Sequence, residues 1–342
     1  MQLGFDPAMA LALTAGSAVA TAVLIHLLQP WLQRYALARP NARSSHTVPT
    51  PQGGGIAVVI VVAAAAAAAG WHGASGPSGH WSMNLLVAIA ALAAVGAIDD
   101  VRPLPVLPRL LLQGAVAGLL VMALPAQARV LPMVPPLVES AALILALVWF
   151  TNLVNFMDGI DLMTVVEVVP IGAVLAVLGM LGIVPELGPL LPVVLALLGA
   201  MLAFAPFNRH VAKLFLGDVG SLPIGALVGW LLFVLAGAGH LIAALILPLY
   251  YLADATITLC RRWLRGENIS QAHRSHFYQL AVARGLSVPE VTGRVLALNA
   301  LLAVLALASI VAPQSVYRFM CLGTAAVATL ALLWQFERGR KA

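Results

Sequence analysis

Long apolar runs alternate with short polar breaks along almost the whole chain. A membrane-spanning helix needs roughly 20 apolar residues. The runs at 7–28, 55–71, 81–98, 107–124, 137–154, 162–184, 187–205, 222–236, 241–260, 291–311 and 316–336 approach that length. The stretch 222–260 is too long for one span at about 1.5 Å per residue, and Gly237-Ala238-Gly239-His240 divides it. The run at 137–154 carries Glu139 and ends among polar residues. The pattern predicts an all-α polytopic membrane protein of about eleven transmembrane helices, folded as a single integral-membrane domain over 1–342.

Composition sharpens this. Hydrophobic residues make up 62% of the chain and charged residues 9%, outside the range of soluble globular domains. Cys260 lies near a basic loop and Cys321 inside an apolar run, so no disulfide framework is implied. The first apolar run lacks a basic leader and reads as a retained span, not a cleaved signal. The net charge of +5 is spread over short loops, as membrane topology requires, so nucleic acid is not an expected partner.

Charge also sets orientation. With the N-terminus outside and loops alternating, all 18 Lys and Arg except Arg129 and Arg318 face inside, as the positive-inside rule demands. Removing the span that carries Glu139 would split the Arg102 loop from the Arg261-to-Arg294 loop. Of 13 acids, only Asp6, Glu139 and Glu186 then fall outside. Because Lys and Arg alone fixed the topology, this convergence of acids on the inner face is a separate observation.

Five polar clusters share that face. Asp99-Asp100 ends the third run; paired carboxylates there can hold Mg²⁺, position a phosphate through that ion, or take a proton. A solvated helix end is the plainer reading, but Asp at a helix C-terminus opposes the macrodipole. Asn152, Asn155, Asp158 and Asp161 recur every three residues, which keeps them on one side of a helix end or tight turn. Capping accounts for one of them, not four. Phe215-Leu216-Gly217-Asp218-Val219-Gly220-Ser221 offers glycines for close backbone approach and Asp218 as a hard oxygen ligand; Ser221 is a candidate helix N-cap. Asn208 and Lys213, upstream, are candidates for nucleotide and phosphate contacts. The turn 49–55 (PTPQGGG) lacks the Lys-Ser/Thr of a Walker loop, and Arg43, Ser44 and His46 beside it suit an anionic substrate. His273-Arg274-Ser275-His276 suits a phosphate better than zinc, since no Cys or third His is near. A basic loop resting on anionic lipid needs no histidine. Asp254 is a weaker candidate, either for the site or for helix packing.

In this order the clusters resemble the polyprenyl-phosphate N-acetylhexosamine-1-phosphate transferases, the MraY/WecA-like glycosyltransferase 4 family. The likeness runs from about Pro40 to Gln279 and rests on Asp99-Asp100, the 155–161 motif (NFMDGID) and the 215–221 motif (FLGDVGS) taken together. The 273–279 stretch (HRSHFYQ) and short outer loops look more like the WecA/WbpL branch than the muramyl-pentapeptide enzymes. Leu162 departs from the pattern, where Gly commonly follows Gly-Ile-Asp. The resemblance implies transfer of a sugar-1-phosphate from a UDP-N-acetylhexosamine to undecaprenyl phosphate, with release of UMP, at the cytoplasmic face of the bacterial inner membrane, starting O-antigen or related polysaccharide. By the same resemblance Asp218, with Asp100, holds Mg²⁺ (or Mn²⁺). Asp99, Asp100, Asp158 and Asp161 serve catalysis. Asn152, Asn155, His273, Arg274 and His276 hold substrate, and a homodimer is compatible. A transporter of an anionic or lipid-linked substrate is the alternative from another class, but transporters tend to show internal repeats and midplane charges. A CDP-alcohol phosphotransferase would carry an Asp-Gly/Ala-Arg signature, which is missing.

Overall fold

The computed structural model describes residues 6–38, 49–73, 80–125, 128–268, 271, 273–312 and 314–340. It is an all-α bundle with one two-residue ribbon. Asp6 starts α1 (Pro7–Tyr35) by accepting the Ala8 N–H at 2.9 Å. β1 (Leu37–Ala38) pairs antiparallel with β2 (Thr50–Pro51). There follow α2 (Gly55–Gly73), α3 (His80–Val101), α4 (Val106–Met122), α5 (Pro136–Met157), α6 (Met163–Met180), a 3₁₀ turn (Pro185–Leu190), α7 (Leu191–Asn208) and α8 (Asp218–Leu235). A wide turn (Ala236–His240) leads to α9 (Leu241–Ile246), α10 (Leu249–Leu264), α11 (Phe277–Ala283), α12 (Val288–Val311) and α13 (Ser315–Arg338).

Among the described residues, eight helices are long and apolar enough to cross a membrane, while 55–71 and 106–122 are shorter apolar helices. The expected division of 222–260 is present: Gly239 leaves helical geometry at φ +90° between α8 and α9, although Asp218–Ile246 is apolar throughout. A second break, not expected, falls at Pro248, where the imide has no N–H to continue the ladder. The helix Pro136–Met157 is present. Its buried Glu139 is ion-paired with Arg129 and accepts the Leu131 N–H at 2.8 Å, which makes the acid tolerable there.

Helix α8 is buried on every side from Val219 to Leu232, as a helix apolar all round should be. By contrast α1 and α13 bury only narrow stripes. Small residues let α8 sit deep. A Cβ on Gly55 would fall 2.3 Å from the Gly220 Cα, and one on Gly96 would fall 2.2 Å from the Asp218 carbonyl oxygen. These contacts press the starts of α2 and α8 and the end of α3 into one corner, where the polar residues collect.

Candidate active site

The corner is built around the N-terminus of α8. Both Asp100 oxygens accept backbone N–H groups there, from Asp218 at 3.0 Å and Val219 at 3.2 Å. A carboxylate from a different helix thus caps α8 and meets its positive end. Ser221 is therefore not the N-cap; it lies buried inside α8 and its hydroxyl accepts from Asn155 at 2.9 Å. Gly217 precedes the helix at φ +77°, and a Cβ there would crowd Asp100 Oδ2 at 2.7 Å, so the position needs glycine on both counts. The 49–55 turn splints the approach. Phe215 donates to the Pro51 carbonyl at 2.8 Å, Gly54 to Phe215 at 2.9 Å, and the Gln52 amide to the Asp100 carbonyl at 3.0 Å.

Three members of the three-residue repeat, Asn155, Asp158 and Asp161, face one cavity, the last two from the turn after α5 ends at Met157; Asn152 does not join them. Asn152 turns away from the corner, buried, donating to Gln113 Oε1 at 2.6 Å and the Val148 carbonyl at 2.8 Å. Asn155 points the other way and donates to Asp218 Oδ1 at 2.7 Å. Asp158 accepts from the Thr164 hydroxyl at 2.5 Å. Burial pushes its carboxyl up to about 7; the Thr164 bond opposes the rise, and the charges of Asp100 and Asp161 add to it. Asp161 accepts the Ala212 N–H at 3.2 Å and pairs with His210 Nδ1 at 2.7 Å. The exceptional Leu162 sits at φ +65°, and its N–H is tied to Asn208 Oδ1 at 2.7 Å.

These side chains wall a cavity of about 500 Å³, a size typical of small-molecule sites. Asp100, Asp158, Asp161 and Asp218 line it together with Asn155 and Asn208. His210, Gln52 and Gln279 also line it; Gln52 and Gln279 fall within the 49–55 and 273–279 stretches, while His210 lies outside every sequence cluster.

Other expected residues lie elsewhere. Asp99 accepts the Leu104 N–H at 2.6 Å and pairs with Arg109 at 2.8 Å; it is not on the cavity wall, although its carboxylate stands close enough to Asp218 to act on it. Lys213 is exposed and does not line the cavity. His273, Arg274 and His276 do not line the cavity. His276 is buried against Asp254, with Nδ1 3.2 Å from Oδ1. His273 is held down to about 4, first by burial and then by the positive charges of His276 and Arg262. Arg43, Ser44 and His46 lie outside the described residues.

Among the described residues no three His, Cys, Asp or Glu side chains converge as a preformed metal cage. Magnesium seldom needs one; it typically uses one or two carboxylates and completes its shell with water and substrate phosphates. The donor set at the α8 corner is carboxylate and amide oxygen, which fits a hard cation held by Asp218 and Asp100.

Comparison with known proteins agrees with this corner. Residues 82–236 match the model of glycosyl transferase family 4. A decaprenyl-phosphate N-acetylglucosaminephosphotransferase of Mycolicibacterium smegmatis is 30% identical over 210 residues, covering 57% of this chain and 52% of that protein. A probable undecaprenyl-phosphate N-acetylglucosaminyl 1-phosphate transferase of Bacillus subtilis is 26% identical over 291 residues, 79% of this chain and 77% of its own. A phospho-N-acetylmuramoyl-pentapeptide-transferase of Carboxydothermus hydrogenoformans is 38% identical over 88 residues, 26% of either chain. The matched part of this chain spans about half the length of the mycobacterial relatives. Since the segment 82–236 holds Asp100, Asn155, Asp158, Asp161 and Asp218, the acidic wall of the cavity lies within the part of the chain that is similar to glycosyl transferase family 4.

Proposed function

We propose that this protein transfers an N-acetylhexosamine-1-phosphate from a UDP-sugar to undecaprenyl phosphate, releasing UMP, at the cytoplasmic face of a bacterial inner membrane. Within glycosyl transferase family 4 we place it in the WecA/WbpL branch, starting O-antigen or a related surface polysaccharide. The observation that carries the reading is the single cavity walled by Asp100, Asp158, Asp161 and Asp218, drawn from three separate parts of the chain. Four carboxylates facing one space beside apolar helices suit a polyanionic substrate only through a cation.

Asp218 and Asp100 would hold Mg²⁺, or Mn²⁺ in its place. The ion supplies charge neutralisation for the donor diphosphate and aligns it. Asn155 fixes the Asp218 carboxylate in rotation through its 2.7 Å bond. Asp100 braces the start of α8 and so fixes the spacing between the α3 and α8 carboxylates. A phosphate monoester has its second pKa near 6, so most of the acceptor is already dianionic at neutral pH. Its oxygen attacks the β-phosphorus, the new P–O bond forms as the bond to the bridging oxygen breaks, and UMP leaves. Asp158, poised near 7, takes the proton from the monoanionic fraction of acceptor.

Purified protein given UDP-GlcNAc, undecaprenyl phosphate and Mg²⁺ should release UMP, and omission of any one should stop it. A donor panel of UDP-GlcNAc, UDP-GalNAc and modified UDP-sugars then names the sugar. Failure of the whole panel would overturn the reading. A phosphosugar trapped on the protein without lipid would replace single displacement by a covalent route.

A further inference from the structure

Asp161 and the 208–214 loop form a pair to which the reaction above gives no task. His210 Nδ1 is 2.7 Å from Asp161 Oδ2, and the same oxygen accepts the Ala212 N–H at 3.2 Å. The loop around them is stitched down: Asn208 accepts the Leu162 N–H at 2.7 Å and donates to the Leu214 carbonyl at 3.0 Å. An ionised carboxylate only accepts, so an imidazole hydrogen sits on Nδ1 and Nε2 is left over. Among the described residues Nε2 has no partner. Yet the side chain lines the cavity and keeps 42% of its surface open. A clasp between two loops needs only the Nδ1 side. A carboxylate that fixes an imidazole at a cavity wall also fixes which nitrogen remains for a ligand.

Charge decides which part of the donor meets this pair. Its net charge is zero at most, and Asp100, Asp158 and Asp218 share its cavity. It is therefore a poor seat for a diphosphate, which the cation at Asp218 and Asp100 takes instead. It suits an uncharged group with a hydrogen to give. Ile160, Val211 and Ala212 adjoin the pair in sequence and line the same cavity; their methyl groups suit a flat ring better than a polyhydroxylated sugar. We propose that His210, held in place by Asp161, reads the base of the nucleotide donor. The inference rests on the transferase reading, which supplies a uridine nucleotide. With one hydrogen committed to Asp161, the neutral imidazole offers Nε2 as an acceptor. Uracil gives it the N3–H. Cytosine carries a lone pair at N3 and would set two acceptors against each other. His210 thus favours a uridine over a cytidine nucleotide, while the diphosphate is held elsewhere.

The test is inhibition of lipid-linked sugar formation by uridine, UMP and CMP, with a UDP-sugar that the wild type accepts. His210→Asn is the informative variant. Its amide nitrogen stands near the place of Nδ1 and keeps the tie to Asp161, but nothing replaces Nε2. The preference for UMP over CMP should fall about tenfold, uridine should weaken by the same factor as UMP, and the melting temperature should stay within about 1 °C of wild type. A purely structural role would be rescued by His210→Asn, with the UMP-to-CMP ratio unchanged. That result overturns the proposal. So does UMP weakened with uridine unaffected, which would put His210 on a phosphate, and so does a raised KM for the UDP-sugar with both inhibitors unaffected, which would put it on the sugar. Should His210→Asn not fold, His210→Ala carries the same test, because a loosened loop weakens UMP and CMP alike and leaves their ratio in place. Wild-type protein that makes no lipid-linked sugar from any donor would instead overturn the transferase reading.

Discussion

The acidic wall of the cavity and the basic 273–278 segment are both polar, both near the same end of the bundle, and built in different ways. The wall is spread over three parts of the chain and held by contacts that cross between helices: Asp100 to the α8 backbone, Asn155 to Asp218, Thr164 to Asp158. The basic segment is organised around its own anchor. The fully buried Asp254 accepts from the Tyr250 and Thr258 hydroxyls and from the N–H groups of Phe277 at 3.0 Å and Tyr278 at 3.2 Å, besides pairing with His276. The two regions meet through Tyr278, whose hydroxyl donates to the Phe156 carbonyl at 3.0 Å. A Cβ on Gly159 would fall 2.1 Å from that hydroxyl. The carboxylates of the proposed cation site are thus built into helix ends, while the basic groups sit on a separately anchored arm docked against the α5 turn.

That contrast is broken most severely in the wall. Asp218→Asn should lower UMP release by on the order of a thousandfold with expression intact; near-normal turnover would refute the metal assignment. The neighbouring pair is a sharper version of the same test. Asp100→Asn removes a charged cap as well as a cavity carboxylate and should cost about a hundredfold in kcat with about 1–2 kcal/mol of stability. Asp99→Asn should cost less than about tenfold, because its carboxylate serves Arg109 and the Leu104 N–H. Equal losses from the two would show that both face substrate.

On the arm, Asp254→Asn leaves the wall untouched and should act mainly on KM for the UDP-sugar, by about tenfold. A kcat loss matching that of Asp100→Asn would mean the two regions are one unit. Acid should also loosen the arm. His273 is held near 4 in the fold against an ordinary 6.5, so between those values the unfolded chain binds the extra proton. Its contribution to stability is complete above about 6.5 and is lost as pH falls toward 4. Melting curves from pH 7 to 4.5 should show a decline that His273→Gln flattens.

The smallest effect belongs to Leu162. Its left-handed backbone is strained for a branched side chain, by about 1 kcal/mol or more. Leu162→Gly relieves this but loosens the unfolded chain, so the melting temperature should rise by only about 1–3 °C.

Much of this site can be read in the sequence, because its carboxylates lie in compact motifs at the ends of apolar runs. Division of labour within each motif cannot. Which of Asp99 and Asp100 faces the cavity depends on Arg109 and on where α8 begins. Asn152 and Asn155 lie one turn apart on α5, yet neighbours on other helices claim them separately, Gln113 of α4 and Asp218 of α8. His210 carries no sequence signal, because it stands alone between two motifs and its partner Asp161 is distant in sequence. The break at Pro248 was legible in principle, since proline outranks glycine as a helix stop.

The central claim is that one cation site forms at the α3–α8 corner. The most direct measurement is Mn²⁺ binding by electron paramagnetic resonance in the presence of UDP-sugar. The account predicts bound Mn²⁺ that disappears in Asp218→Asn and persists in His273→Gln. Bound Mn²⁺ that survives Asp218→Asn, or depends on His273, would contradict it.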